Sequence, residues 1–200
     1  MKNIVWLALI SLLSGFVFAE EVPLDLKQSS LKFTGHAFLH DFHGAANEFG
    51  GSAQVDSLKP ELVTGAKINI HAAKMTTFET ARDHNMFQWL HVDANPEISF
   101  ELTRVLSMDG KAATATKDQP AKFIVTGTFT LNKVAKPLQT EAMGWREGKW
   151  LVVTGTTSVD TTAHGLPIVQ QFFMTVSKDV DIEFHLVFDL PPHLQVAAKP

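Results

Sequence analysis

The chain has 200 residues, with 17 Lys and Arg against 21 Asp and Glu, no cysteine, no tyrosine and 15 Phe. A slightly acidic chain without a basic block excludes extended contact with nucleic-acid phosphates, and the lack of cysteine excludes disulfide staples and a thiol nucleophile. Aromatic bulk supplied by Phe and Trp alone suits a wide core or a ligand cavity.

Residues 1–19 read as a secretory signal peptide. Lys2 gives a basic start, Ile4 to Leu13 is a nearly continuous apolar run, and Ala19 is a small residue ahead of Glu20. The run is too short for a membrane span, so the expected product is exported to the periplasm with no stable span after cleavage. Losing Lys2 leaves a balance of about −5. Residues 20–190 form one domain large enough to bury a core. Pro191-Pro192 then opens a tail, 191–200, expected to be flexible.

Leu31, Phe33, Gly35 and Ala37 alternate with Lys32, Thr34 and His36, which predicts a half-buried strand. Leu39 to Gly51 is rich in His and Gly and predicts a bend or bulge. Ala53 to Asp56 and Gly65 to Ala72 predict two further strands. Thr77 or Thr80 is placed to cap a short amphipathic helix, in which Phe78, Met86 and Trp89 share a face with Arg82 at its edge. Pro96 stops it, and Ile98 to Leu102 begins the next strand. Asp109-Gly110 is a turn and 112–120 a loop. Phe123 to Leu131 is the strongest strand signal, followed by Leu138 to Trp145, a turn at Glu147-Gly148, and Trp150 to Val159. In the last strand, Val180 to Asp189, the residues Val180, Ile182, Phe184, Leu186 and Phe188 share one face. Eight strands and a crossover helix predict a mainly β fold, an eight-stranded antiparallel barrel. Closure would remove exposed edges and leave room for one narrow ligand.

The lining candidates on these faces are Phe33, Phe78, Met86 and Trp89, with Phe100, Phe129, Trp145 and Phe184 deeper in the strands. Phe172 and Phe173 are further candidates. Arg82 and His84 are candidate partners for a polar head group. Each buried methylene contributes about 0.8 kcal/mol, so a long apolar chain gains affinity through length alone. The leading expectation is a non-enzymatic carrier of a hydrophobic small molecule, with no required cofactor; a homodimer stays open. One alternative is a transition-metal site at His36, His40 and His43, which would share a face on a helix. On a strand, His36 and His40 stand about 13 Å apart and His43 faces the other way. A second alternative is a protein-interaction domain on the same barrel. Enzyme motifs are missing: there is no Gly-x-Ser-x-Gly elbow and no His-Glu-x-x-His helix.

Thr77 with Arg82-Asp83-His84, Pro96-x-Ile98-x-Phe100, Gly127-x-Phe129-Thr130-Leu131 through Lys136-Pro137, and Gly165 before the last strand resemble the YceI-like family. Ser30-Leu31-Lys32-Phe33 matches its opening strand, and the resemblance runs from Val22 to Asp189. It implies a lipocalin-like antiparallel barrel in the periplasm, holding a long isoprenoid in an apolar tunnel, with no catalytic residues. The chain departs from the family pattern at three places. Thr161 to Gly165 lacks the usual arginine and aromatic, Lys133 replaces a glycine, and Trp89-Leu90 replaces paired aromatics.

Overall fold

The computed structural model describes residues 19–57, 63–171 and 174–197. The expected signal segment, apart from Ala19, lies outside the described residues, as do Phe172 and Phe173.

Alternating apolar residues generate most of the strands. In chain order they are β1 (Ala19–Pro23), β2 (Ser30–Ala37), β3 (Asp41–Ala46), β4 (Phe49–Asp56), β5 (Val63–His71) and β6 (Met75–Thr76). Helix α1 (Thr80–Leu90) follows, then β7 (Glu97–Ser107), β8 (Ala121–Leu131), β9 (Val134–Glu147), β10 (Trp150–Asp160), β11 (Gln170–Gln171) and β12 (Met174–Asp189). Eleven of these strands hydrogen-bond along one path, β1-β4-β5-β7-β8-β9-β10-β12-β2-β3-β6, and β11 pairs with β12 beside it.

The sheet is an open half-barrel, not the closed eight-stranded barrel that the pattern predicts. Among the described residues no ladder joins its end strands, β1 and β6. Among the described residues one isolated bridge, Leu24 to Phe188, links the chain just after β1 to β12, with the Asp25 amide donating to the Val187 carbonyl at 2.7 Å. The error has a local origin. Leu39 to Gly51 is not one bend: it holds β3 and the start of β4, which belong to opposite sides of the opening. The connection at Asn47-Glu48 crosses the gap as chain instead of as a ladder.

Two buried clusters flank the interior. One gathers Val22, Leu24, Val55, Leu151, Phe188 and Leu190; the other gathers Leu90, Ile98, Phe129, Leu131, Val159 and Leu166. Part of the tail expected to be flexible joins the first cluster. Pro192–Ala197 forms a 3-10 turn whose Leu194 is 2% exposed, and the Arg146 guanidinium donates to the Leu194 carbonyl at 3.2 Å.

Glycines set the shape of the space between the clusters. Gly35 stands opposite Phe42 and Gly44 opposite Phe33 across β2–β3, and Gly155 stands opposite Phe184 across β10–β12. Phe100 of β7, which pairs with Phe129, reaches diagonally across to lie against Gly127 of β8. A Cβ on any of the four glycines would come within 3.0 Å of the ring. The rings therefore occupy the place of the missing side chains, lying against the sheet.

The β8–β9 hairpin turns through Asn132 and Lys133, both left-handed at φ 51° and 60°. Two left-handed central residues define a type I′ turn, a geometry that glycine adopts at the second position without strain. A left-handed lysine costs about 1–2 kcal/mol, more than the entropy that glycine loses, about 0.5–1 kcal/mol. Lys133→Gly is expected to raise stability by about 0.5–1 kcal/mol, read as a higher urea midpoint; a lower midpoint would contradict this turn geometry.

Candidate functional site: an apolar cavity in two chambers

An outer chamber of about 540 Å³ lies between α1, the β2–β3 end of the sheet and the segment 167–170. An inner chamber of about 230 Å³ lies between β5, β7, β8, β9, β10 and β12. Leu31, Ile70, Phe129 and Ile182 line both, so the chambers meet at a waist of four apolar side chains. A dry cavity of about 150 Å³ holds a benzene ring. On that scale the outer chamber suits about 20 carbons and the inner one about nine.

The sequence candidates divide between the chambers. Phe33, Arg82, Met86 and Trp89 line the outer one, Phe100, Trp145 and Phe184 line the inner one, and Phe129 lines both. Phe78 and His84 line neither. Phe78 is 73% exposed, because the helix begins at Thr80, after a left-handed Phe78 at φ 62°. Helical spacing therefore does not extend back to Phe78. His84 points to solvent, its ring 3.0 Å from the Gln88 amide nitrogen. Of the waist residues, Ile70 was a lining candidate from its strand alternation, while Leu31 and Ile182 escaped the sequence reading as a site. Their alternation was visible, but parity assigns a face and not a cavity.

Hydrogen bonds at the start of α1 hold it against the sheet. Glu79, not Thr77 or Thr80, caps the helix, accepting from the Ala81 and Arg82 amides at 3.2 and 2.7 Å. The Asp83 carboxylate accepts from the Thr76 hydroxyl at 2.8 Å and from the Thr77 amide and hydroxyl, both at 2.5 Å. Burial works against its charge, yet the bonds from Thr77 and Thr76 leave Asp83 below the usual carboxylate range. Thus anchored, the helix presents Arg82, Met86 and Trp89 to the outer chamber at spacings of four and three. The Trp89 indole N–H donates to the Pro167 carbonyl at 2.8 Å, tying the far end of α1 to the opposite lip. The Arg82 guanidinium sits 5.4 Å from the centre of the Phe42 ring, and it forms no ion pair with a carboxylate among the described residues.

The segment Thr161 to Gly165 is structural. His164 is buried, its Nδ1 2.8 Å from the Val134 carbonyl and its ring edge-on to Phe129. Asp160 caps this turn. Hydrogen bonds from Lys178 and Thr162 hold its carboxyl far below the ordinary carboxylate range.

The histidine alternative finds no metal site. Among the described residues no group of three or more His, Asp or Glu could hold an ion. The chain reverses between β2 and β3, and the histidines take separate partners. His36 uses both ring nitrogens, at 3.0 Å from Asp41 and 3.1 Å from Asp181. His43 lies 2.9 Å from the Thr34 hydroxyl, while His40 lines the outer chamber. Asp41 and then Asp181 raise the His36 pKa above its ordinary 6.5. The pair therefore supports the fold fully below the unfolded-state value and loses that contribution as pH rises through the folded value. In an NMR titration the His36 midpoint is expected above 6.5, and Asp181→Asn should lower it. A midpoint indifferent to that substitution would remove Asp181 from the pair.

Among the described residues, no helix is long and apolar enough to cross a membrane. Comparison with known proteins adds the lineage. The YceI-like domain family matches residues 23–188. A UPF0312 protein from Pseudomonas syringae pv. tomato is 32% identical over 170 residues, covering 80% of this chain and 79% of that one. Among solved structures, Burkholderia cenocepacia BcnA matches with a TM-score of 0.68 at 18% identity, covering 82% of this chain and 98% of BcnA. A polyisoprenoid binding domain from Saccharophagus degradans, implicated in plant cell wall breakdown, matches at 0.66 and 14% identity, over 84% and 98% of the two chains. Campylobacter jejuni YCEI matches at 0.62 and 14%, over 78% and 89%. At these identities the solved structures establish the shared fold. The chain belongs to the YceI-like family.

Proposed function

We propose that this protein binds a long-chain isoprenoid, or a closely related amphiphilic lipid, without catalysis, and carries it in the periplasm after signal cleavage. The observation that carries this reading is the pair of apolar chambers meeting end to end, with the Arg82 guanidinium on the wall of the outer one. The tail would run past Leu31, Ile70, Phe129 and Ile182 into the inner chamber, and an anionic or strongly polar head would stay near Arg82. Taken together, the chambers suit about 30 carbons, or about six isoprene units. The polyisoprenoid binding domain of the same fold supports this class of ligand.

Native mass spectrometry of the mature protein from its own periplasm, followed by extraction and mass analysis, tests the assignment. A stoichiometric prenyl lipid is the expected result. Protein that emerges empty and also refuses added isoprenoids would overturn it. The waist supplies a sharper test. Ile182→Trp should block passage to the inner chamber while leaving most of the outer one open. Affinity for a chain of about 40 carbons should then fall more than about tenfold, since two excluded methylenes already suffice at about 0.8 kcal/mol each. Affinity for a chain of about 15 carbons should hold. An equal loss for both lengths would argue against tandem filling of the chambers.

A further inference from the structure

We infer that the lip of the outer chamber is a membrane-docking surface, where Phe38, Leu39, Phe78 and Ile168 enter the interfacial zone of a lipid bilayer and set the chamber mouth against it. Phe38 is 82% exposed, Leu39 72%, Phe78 73% and Ile168 47%. These side chains come from three separate segments and converge on one end of the sheet. Phe38 and Leu39 form the β2–β3 turn, between Ala37 and His40, which both line the outer chamber. Ile168 lines it as well as being exposed. Ala37 pairs with Val176, whose amide donates to the Val169 carbonyl at 3.0 Å, so the turn and the Ile168 segment are neighbours. Phe78 follows β6, which pairs with β3 at Thr76–Ala45, and the antiparallel register carries it toward the same end.

The exposure of Phe78 is built in. A bulky residue adopts a left-handed φ only where its surroundings impose it. Here the Phe78 amide donates to the Thr76 hydroxyl at 2.9 Å, and Asp83 fixes Thr76 and Thr77 on the N-terminal side. The bonds that seat α1 therefore also hold the Phe78 ring in solvent.

The pattern fits a bilayer better than a protein partner or a second copy. Exposed polar residues, His40, Asn85 and Gln170, lie on the chamber wall among the apolar prongs. A dry protein interface buries a continuous apolar centre, whereas the boundary of head groups and acyl chains accepts isolated apolar side chains set in a polar surround. The chain's net charge of −4 offers no general attraction to anionic lipid, so apolar insertion has to supply the contact, and a zwitterionic surface suffices. Docked in this way, the mouth would receive a lipid tail without exposing its length to water. The purpose of the surface rests on the proposed lipid cargo, but its test does not.

The experiment uses mature protein and cargo-free phosphatidylcholine vesicles in a flotation assay. Wild type is expected to float with the vesicles. The double variant Phe38→Ser/Leu39→Ser, whose side chains line neither chamber, should float at least about fivefold less with an unchanged circular dichroism spectrum. Isoprenoid transfer from loaded vesicles should slow by a similar factor, with uptake from detergent micelles unchanged. Wild type that fails to float, or a variant that floats equally well, would overturn the proposal. So would self-association in analytical ultracentrifugation that the double variant abolishes in place of vesicle binding. Intact flotation with no isoprenoid uptake from vesicles or micelles would instead overturn the carrier reading and leave the docking surface standing.

Discussion

The interior stays open because glycine faces phenylalanine across neighbouring strands. Protein cores ordinarily close to the density of organic crystals, and a chain with 15 Phe has ample bulk to fill this one. Phe33, Phe42, Phe100 and Phe184 all line the chambers, yet each ring rests in the place of a missing side chain at Gly44, Gly35, Gly127 or Gly155. The aromatic surface lines the wall without occupying the middle. Any Cβ at these glycines would lift a ring into the chamber, so binding volume and backbone sequence are coupled at four points. Stability is left to the two packed clusters on either side.

The opening in the sheet and the position of α1 belong to the same arrangement. A closed barrel would hide its edges, whereas here β1 and β6 end the path and the helix supplies a wall. Asp83 fixes the first turn to Thr76 and Thr77 beside β6, and Trp89 fixes the last turn to Pro167. Held at both ends, the helix faces its cavity side inward although it contributes one buried residue, Leu90, to the core. Asp83 thus acts on the ligand wall at a distance: it touches no chamber and orients Arg82, Met86 and Trp89.

Most of the sheet was legible because alternation reports burial directly. β2, β5, β8, β10 and the end of β12 stand close to where the pattern put them, and the Arg82-Asp83-His84 segment is where the helix forms. The failures share a cause: the deciding information lay on a neighbouring strand. β3 and the start of β4 looked like a bend because Gly44, Gly50 and Gly51 signal turns, and that Phe33 faces Gly44 shows only once the strands are paired. Phe78 looked helical because spacing does not show that Asp83 captures Thr77 and forces the preceding turn. His36, His40 and His43 stood as a candidate metal set at helical spacing, but Asp181 sits far away in sequence and claims one ring nitrogen of His36. The chambers were the least legible of all, since the same Ile182 reads identically as packed core and as waist.

The tryptophans carry an optical consequence. Trp89 borders the outer chamber with its indole N–H engaged by Pro167, and Trp145 borders the inner chamber at 6.4 Å from the His185 ring. With no tyrosine in the chain, near-ultraviolet emission is tryptophan emission alone. The two indoles sit on opposite sides of the waist, in surroundings that differ in polarity. Ligand reaching only the outer space would change the spectrum of one emitter, and ligand reaching both would change two. The molecule thus carries a built-in fluorescent gauge of how deeply it is filled.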